Sequence, residues 1–181
     1  MKSFFVFTLI CLFSCYSIYS QTATEDAIKV YKKGEVNEAK LQFEKILEQD
    51  PNNYQAIYYL SEIAFSKMEY KKAADLMKLM VDKYPNNEEY HFKYGGALGL
   101  YVRDHKSKAL FYLDDIKEHM HKAVEINTQY TDAYLGLIKL YVELPGFLGG
   151  SRQKAKKFAD TINTYDMEAA KKAYNLIAMA D

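Results

Sequence analysis

The sequence predicts an all-α fold: a right-handed α-solenoid of about four helix hairpins, closed by a C-terminal capping helix. Three observations predict it. Pro51-Asn52-Asn53 and Pro85-Asn86-Asn87 stand 34 positions apart, and at the same offset Ala39 becomes Ala73 and Phe43 becomes Met77. A fixed period of that length is the mark of stacked helix–turn–helix units. Each Pro-Asn-Asn also separates two segments whose apolar residues recur every three or four positions, the spacing of one helix face. Finally, the 181 residues hold only three prolines, all at apparent helix boundaries.

Composition narrows the function classes. The chain is 49% apolar and 27% charged with a formal charge of zero, which is globular composition, and its length suits one domain. No basic excess points to nucleic acid, and no acidic run suggests a solvating tail. There are 17 tyrosines and no tryptophan. Tyrosine joins a large apolar body to a polar tip, which suits partly exposed, adaptable surfaces.

Residues 1–20 have the order of a secretory signal peptide. Lys2 precedes an apolar core from Phe4 to Phe13, and the polar stretch Ser14 to Ser20 follows. That core is well short of the ~20 residues a spanning helix needs. Two processing readings stand: cleavage before Gln21, or a lipoprotein leader, Leu12-Phe13-Ser14-Cys15, ending in a lipidated Cys15. Both cysteines, Cys11 and Cys15, lie in this leader. A chain processed before Gln21 then has no disulfide framework, thiolate metal site or catalytic thiol. The expectation is an exported protein, periplasmic or associated with the cell envelope.

The repeat region is expected over 22–181. In the first repeat, about 22–53, one helix carries Ala27, Val30 and Tyr31, and Gly34 supplies the positive φ that ends it. The next helix carries Ala39, Phe43, Ile46 and Leu47, and Pro51 closes it and opens the one after. The second repeat, 54–87, has Ile57, Leu60, Ser61 and Ala64, then Tyr70, Ala73, Met77, Met80 and Val81. The methionines follow the buried face and read as core filler.

The third repeat, 88–130, opens with His91-x-x-Tyr94-Gly95-x-x-Leu98 and is lengthened in its turn and second helix. Pro85 to Thr128, in the proline position, is 43 residues. Gly95, Gly96 and Gly99 follow no strand and precede no Lys-Ser or Lys-Thr, so they read as close helix contacts, not as a phosphate loop. Asp115 and His119 are four apart and could share a metal, but Asp115, Glu118, His119 and His121 read as a solvated helix face. The fourth repeat, 131–166, reads Tyr134-x-x-Leu137-Ile138-x-x-Tyr141 and is interrupted by the loop Leu144 to Ser151. Ser151 is placed to cap a helix from Arg152 to Asn163. A last helix over 167–180 caps the open end.

These residues resemble the tetratricopeptide repeat (TPR) family. Ala39-x-x-x-Phe43 with Pro51 follows its pattern, and Ile57, Leu60, Ser61 and Ala64 stand where it takes tryptophan, leucine, glycine and tyrosine. The resemblance implies a non-catalytic scaffold or adaptor that binds another protein or a peptide segment. By family spacing the groove-facing positions are Tyr31, Gln55, Tyr58, Glu62, Phe65, Glu89, Phe92, Asp132, Leu135 and Lys139. The row of groove lysines and asparagines that grips C-terminal carboxylates is not there.

No catalytic constellation, cofactor motif or metal set is legible, and no membrane contact is expected beyond lipidation at Cys15. A second candidate region is the loop with its basic turn, Phe147, Arg152, Lys154 and Lys156, as a contact for an acidic segment or an anion. It carries the alternative reading, an accessory subunit of an envelope enzyme or transporter that binds a small anion or glycan at 145–157. Against it stands a hairpin whose Phe147 and Leu148 plug the core.

Overall fold

The computed structural model describes residues 21–180, and every regular element among them is helical. The leader, with Cys11, Cys15 and both processing readings, lies outside the described residues. The chain divides between Glu69 and Tyr70 into two compact units.

The first unit contains α1 over 21–32, α2 (Val36–Gln49) and α3 (Tyr54–Ser66). Gly34 ends α1 with φ +85°; its N–H donates to the Tyr31 carbonyl at 2.9 Å and that of Glu35 to Val30 at 3.3 Å. This is a Schellman ending, which favours glycine because without a Cβ the left-handed region costs it little. The position 34 residues on is Met68, with φ +61°. The N–H of Met68 bonds to Phe65 at 3.0 Å and that of Glu69 to Ala64 at 2.9 Å, so the ending recurs with a side chain in the glycine place. Met68 is exposed and has little burial to lose. Met68→Gly is therefore expected to stabilise the protein by about 1 kcal/mol, raising Tm by roughly 2–4 °C. A fall in Tm on thermal melting would show that the Met68 side chain contributes packing.

The Pro-Asn-Asn turns work differently from the sequence expectation. Pro51 sits inside the turn, not at the start of α3. Asn53 opens the helix: its side-chain oxygen accepts from the Ala56 N–H at 3.0 Å, and its amide donates to the buried Thr24 hydroxyl of α1 at 3.1 Å. Asn87 caps α5 likewise, accepting from Tyr90 at 3.0 Å. Three turns share one hydrogen bond across their ends, Asn53 to Asp50, Asn87 to Tyr84 and Tyr130 to Asn127. Thr128 thus occupies the place of the prolines.

The core of the first unit is built on Ala39, Phe43 and Ile46 of α2 and Ile57, Leu60 and Ile63 of α3, all buried. Phe43 stacks on Tyr59 with centroids 5.2 Å apart and planes 3° from parallel. Tyr59 in turn takes the edges of Tyr31 and Tyr58 at 5.1 and 5.5 Å.

The second unit runs through α4 (Tyr70–Lys83), α5 (Glu88–Asp104), α6 (Ala109–Ile126), α7 (Thr131–Glu143), α8 (Arg152–Ile162) and α9 (Met167–Met179). Ala73, Met77 and Met80 are buried, as their register predicts. α5 and α6 are the long pair, with 17 and 18 residues, joined by a 3₁₀ turn, Lys106–Lys108. Met120 of α6 explains two glycines. A Cβ on Gly95 of α5 would lie 3.2 Å from Met120 Cγ, and one on Gly136 of α7 would lie 3.3 Å from Met120 Cε. One flexible side chain fills the contact of three helices because two facing residues have none.

Candidate functional site

The residues of the expected groove fall in both units and are taken unit by unit. In the first, Gln55, Tyr58, Glu62 and Phe65 recur at helical spacing along α3. Gln55 and Phe65 are exposed, while Tyr58 and Glu62 are half-buried. Tyr31 is half-buried and joins Tyr58 through Tyr59.

In the second unit α5 and α7, the first helices of adjacent hairpins, pack together. Glu89, Phe92, Lys93, Gly96 and Gly99 share one face of α5 at intervals of three and four. Asp132, Leu135, Gly136 and Lys139 share one face of α7. Phe92 links the two: its Cε2 lies 3.5 Å from where a Cβ of Gly136 would stand, and its ring meets Tyr130 edge-on at 5.3 Å. Burial pushes the Tyr130 phenol up to about 12, with Glu89 adding to the shift, so it remains a neutral donor at neutral pH. A Cβ on Gly99 would meet nothing within 4 Å. Gly96 and Gly136 are instead backed by Met120, whose Cε would lie 3.8 and 3.3 Å from a Cβ at each, so on this face Gly99 alone opens onto free space, and the aromatic pair Phe92 and Tyr130 is its main feature. Its charges form pairs along each helix, Glu89 with Lys93 at 3.4 Å and Lys139 with Glu143 at 3.8 Å. Exposed pairs of this kind contribute little stability and exchange readily with a ligand's charges.

The loop set does not converge. The 3₁₀ turn Gly146–Leu148 leads to Gly149 at φ +91°, and Lys117 of α6 donates to the Leu148 carbonyl at 2.8 Å. Ser151 caps α8, accepting from Lys154 N–H at 3.2 Å. The Arg152 guanidinium donates to the Ile177 and Ala180 carbonyls at 2.6 and 3.0 Å. A cation at the start of α8 opposes that helix dipole, but here it completes the C-terminal end of α9, where positive charge is favourable. Lys154 stands 5.1 Å over the Tyr141 ring, and Lys156 pairs with Asp160 at 3.2 Å. Phe147 is 87% exposed, so it does not plug the core.

The charged residues of α6 also depart from a uniformly solvated face. His119 is buried, with its Nδ1 2.7 Å from Nδ1 of His91, while His91 Nε2 lies 3.0 Å from the Pro85 carbonyl. If His91 donates to Pro85 from Nε2, its Nδ1 accepts and His119 donates. The Tyr94 hydroxyl donates to Asp115 at 3.1 Å, and burial with Asp115 raises its pKa. His121 meets the Tyr141 hydroxyl at 2.9 Å. Among the described residues no group of three or more His, Cys, Asp or Glu could hold a metal ion.

Burial, then the nearby His91, lowers the His119 pKa, and burial likewise lowers that of His121. The native state therefore binds fewer protons than the unfolded chain below the free histidine value of about 6.5. Stability is expected to be level above neutral pH, to fall as pH drops through about 6.5, and to stop falling from this source below the depressed native values. Urea unfolding across that range checks the sign. His119→Gln should flatten the slope, and an unchanged slope in that variant would remove His119 as its source.

The geometry can be set beside known proteins. Residues 30–92, from the end of α1 into α5, match the tetratricopeptide repeat family. Over these residues the chain carries the tetratricopeptide repeat (TPR) pattern. A TPR repeat-containing protein of Methanocaldococcus jannaschii is 31% identical over 146 residues, covering 77% of this chain. The chain spans only 23% of that relative's length. Among solved structures, a thermophilic TPR protein of Thermus thermophilus shares 19% identity at TM-score 0.61, covering 86% of this chain and 81% of that one. YrrB, described as a TPR protein with an unusual peptide-binding site, shares 16% identity at TM-score 0.64, covering 88% and 84%. These two likenesses show a shared fold of stacked helix hairpins. The TPR register accounts for Phe92 and Leu135, but it did not single out Tyr59, Tyr130 or the His91–His119 pair.

Proposed function

We propose that this protein is a non-catalytic TPR scaffold of the bacterial cell envelope, and that it holds a peptide segment or partner helix along the α5–α7 face. The observation that carries the reading is the aromatic pair Phe92 and Tyr130, 5.3 Å apart where α5 meets α7, with Gly99 open beyond it on the α5 face. Aromatic side chains supply rigid anchors, and the open Gly99 lets a ligand backbone approach closely. Glu89, Lys93, Lys139 and Glu143 give both signs of charge at its edges, which suits a mixed-charge segment. The peptide-binding site named for YrrB, a protein of the same fold, supports this use of the architecture. The envelope setting rests on the order of residues 1–20 and on the confinement of both cysteines to them.

The test is site-specific photocrosslinking in cells, with a benzophenone side chain at Leu135 or Lys139 and, as control, at the exposed Met167. Discrete adducts from the first two positions, absent from the third, are expected. No adduct, or the same adducts at all three, would overturn the α5–α7 assignment. The mass of the processed chain, read from the same preparation, tests export separately: an unprocessed Met1 in the cytosol removes the envelope setting and leaves the groove untouched.

A further inference from the structure

We propose that the free end of the α5–α6 hairpin is a tip that docks on anionic membrane surfaces. α5 and α6 have 17 and 18 residues, whereas α4 and α7 beside them have 14 and 13. The excess lies at one end. Tyr70, the first residue of α4, bonds to Arg103, and Lys71 stands 5.9 Å over the Tyr112 ring. Residues 104–111 therefore lie level with or beyond the start of α4.

Two large apolar side chains occupy this end. Leu110 is 78% exposed and Phe111 is 75% exposed, although both sit in the first turn of an ordered helix. The bases around them are Arg103, Lys106 and Lys108, against one acid in residues 103–112, Asp104, which pairs with Arg103 at 3.1 Å. Lys108 lies 5.7 Å over the Phe111 ring itself. Behind the tip Tyr101 meets Tyr112 edge-on at 5.7 Å, and His105 stacks on Tyr101 at 4.5 Å. Apolar residues at the point, bases around them and tyrosines behind them repeat the order of a bilayer interface: acyl boundary, anionic headgroups, aromatic belt.

Two adjacent, exposed apolar side chains at a helix start can enter a bilayer interface together. The balance of charge over residues 103–112 is positive, three bases against Asp104, with the exposed Asp114 one helical turn further along α6. Among the described residues no helix is long and apolar enough to cross a membrane, so contact through the tip is peripheral. This surface is separate from the α5–α7 face, and neither reading depends on the other.

The chain has no tryptophan, so Phe111→Trp in the full-length protein places a single indole at the tip. Its emission reports this site alone, whatever the leader does. With phosphatidylcholine vesicles carrying about a third phosphatidylglycerol, the emission should shift to the blue and be quenched by brominated lipid, and pure phosphatidylcholine should do neither. On that background Lys106→Gln with Lys108→Gln should weaken vesicle binding about 25-fold, from roughly fivefold per lysine. Leu110→Ser should weaken it at least about tenfold. Circular dichroism and melting confirm that each variant keeps the fold. Co-sedimentation of the parent and of a Leu110→Ser, Phe111→Ser variant gives a second readout free of the indole. An emission that ignores anionic vesicles, or that moves equally with neutral ones, overturns the proposal. So does binding that survives the lysine changes. A shift caused by polyglutamate and not by vesicles overturns it in favour of an acidic protein partner.

Discussion

Phe43→Ala is expected to destabilise the protein by about 3–5 kcal/mol, the cost of deleting a fully buried aromatic ring from a packed core. Phe43 has no exposed surface and lies parallel to Tyr59, which also takes the edges of Tyr31 and Tyr58. Removing it leaves a cavity against α3 and strips Tyr59 of its stacking partner, a loss beyond area alone. For a chain of this size the predicted fall in Tm is roughly 6–20 °C. Phe43→Leu keeps most of the volume and should lose far less. The check is thermal and urea unfolding of both variants. If the alanine variant melts with the parent, Phe43 is not a core residue, and the register pairing it with Met77 fails with it.

That register was the most legible part of the molecule. Ala39 and Ala73, Phe43 and Met77, Pro51 and Pro85 repeat because each unit must bury the same face against its neighbours. Periodicity records burial, so it located α2, α3 and α4 and the resumption of α6 at Ala109. It records less about how a turn is closed. Proline was the visible mark, yet Asn53 and Asn87 make the capping bonds. Met68 was invisible for the opposite reason: only the Gly34 match at the same offset marks it as left-handed.

The candidate sites divide along the same line. Phe92 and Leu135 could be named from helix spacing, because a helix fixes which residues share a face. Tyr130 precedes α7, where no period operates, so its edge contact with Phe92 needed coordinates. The basic turn was incompletely legible for a related reason. Arg152, Lys154 and Lys156 are close in sequence, but they reach α9, Tyr141 and Asp160 respectively. Proximity along a chain gives no direction to a long side chain, and only the fold shows which acceptor each one meets.

Gly150→Ala is expected to destabilise by about 3 kcal/mol or more, at or above the upper end for overpacking, because the added carbon meets backbone. A Cβ there would stand 1.7 Å from the Leu144 carbonyl oxygen, 2.6 Å from its carbon and 3.1 Å from the Pro145 oxygen. No flexible side chain can yield, so the loop itself must move. The loop is held by the Leu148 and Gly150 N–H groups on the Pro145 carbonyl, at 2.9 and 3.1 Å, and by the Ser151 N–H on Tyr141 at 2.8 Å. Ser151 also caps α8, and Arg152 next to it secures the end of α9, so displacement reaches two helices. A Tm lower by roughly 6–12 °C is predicted. Gly146→Ala is the matched control, since a Cβ at Gly146 meets nothing within 4 Å. If both variants melt with the parent, the crossing at Leu144 is not part of the folded loop. If both fall equally, general loss of glycine freedom, not the contact at Gly150, is the cause. A fall at Gly150 alone identifies this close backbone crossing as what fixes the loop, and through it the start of α8.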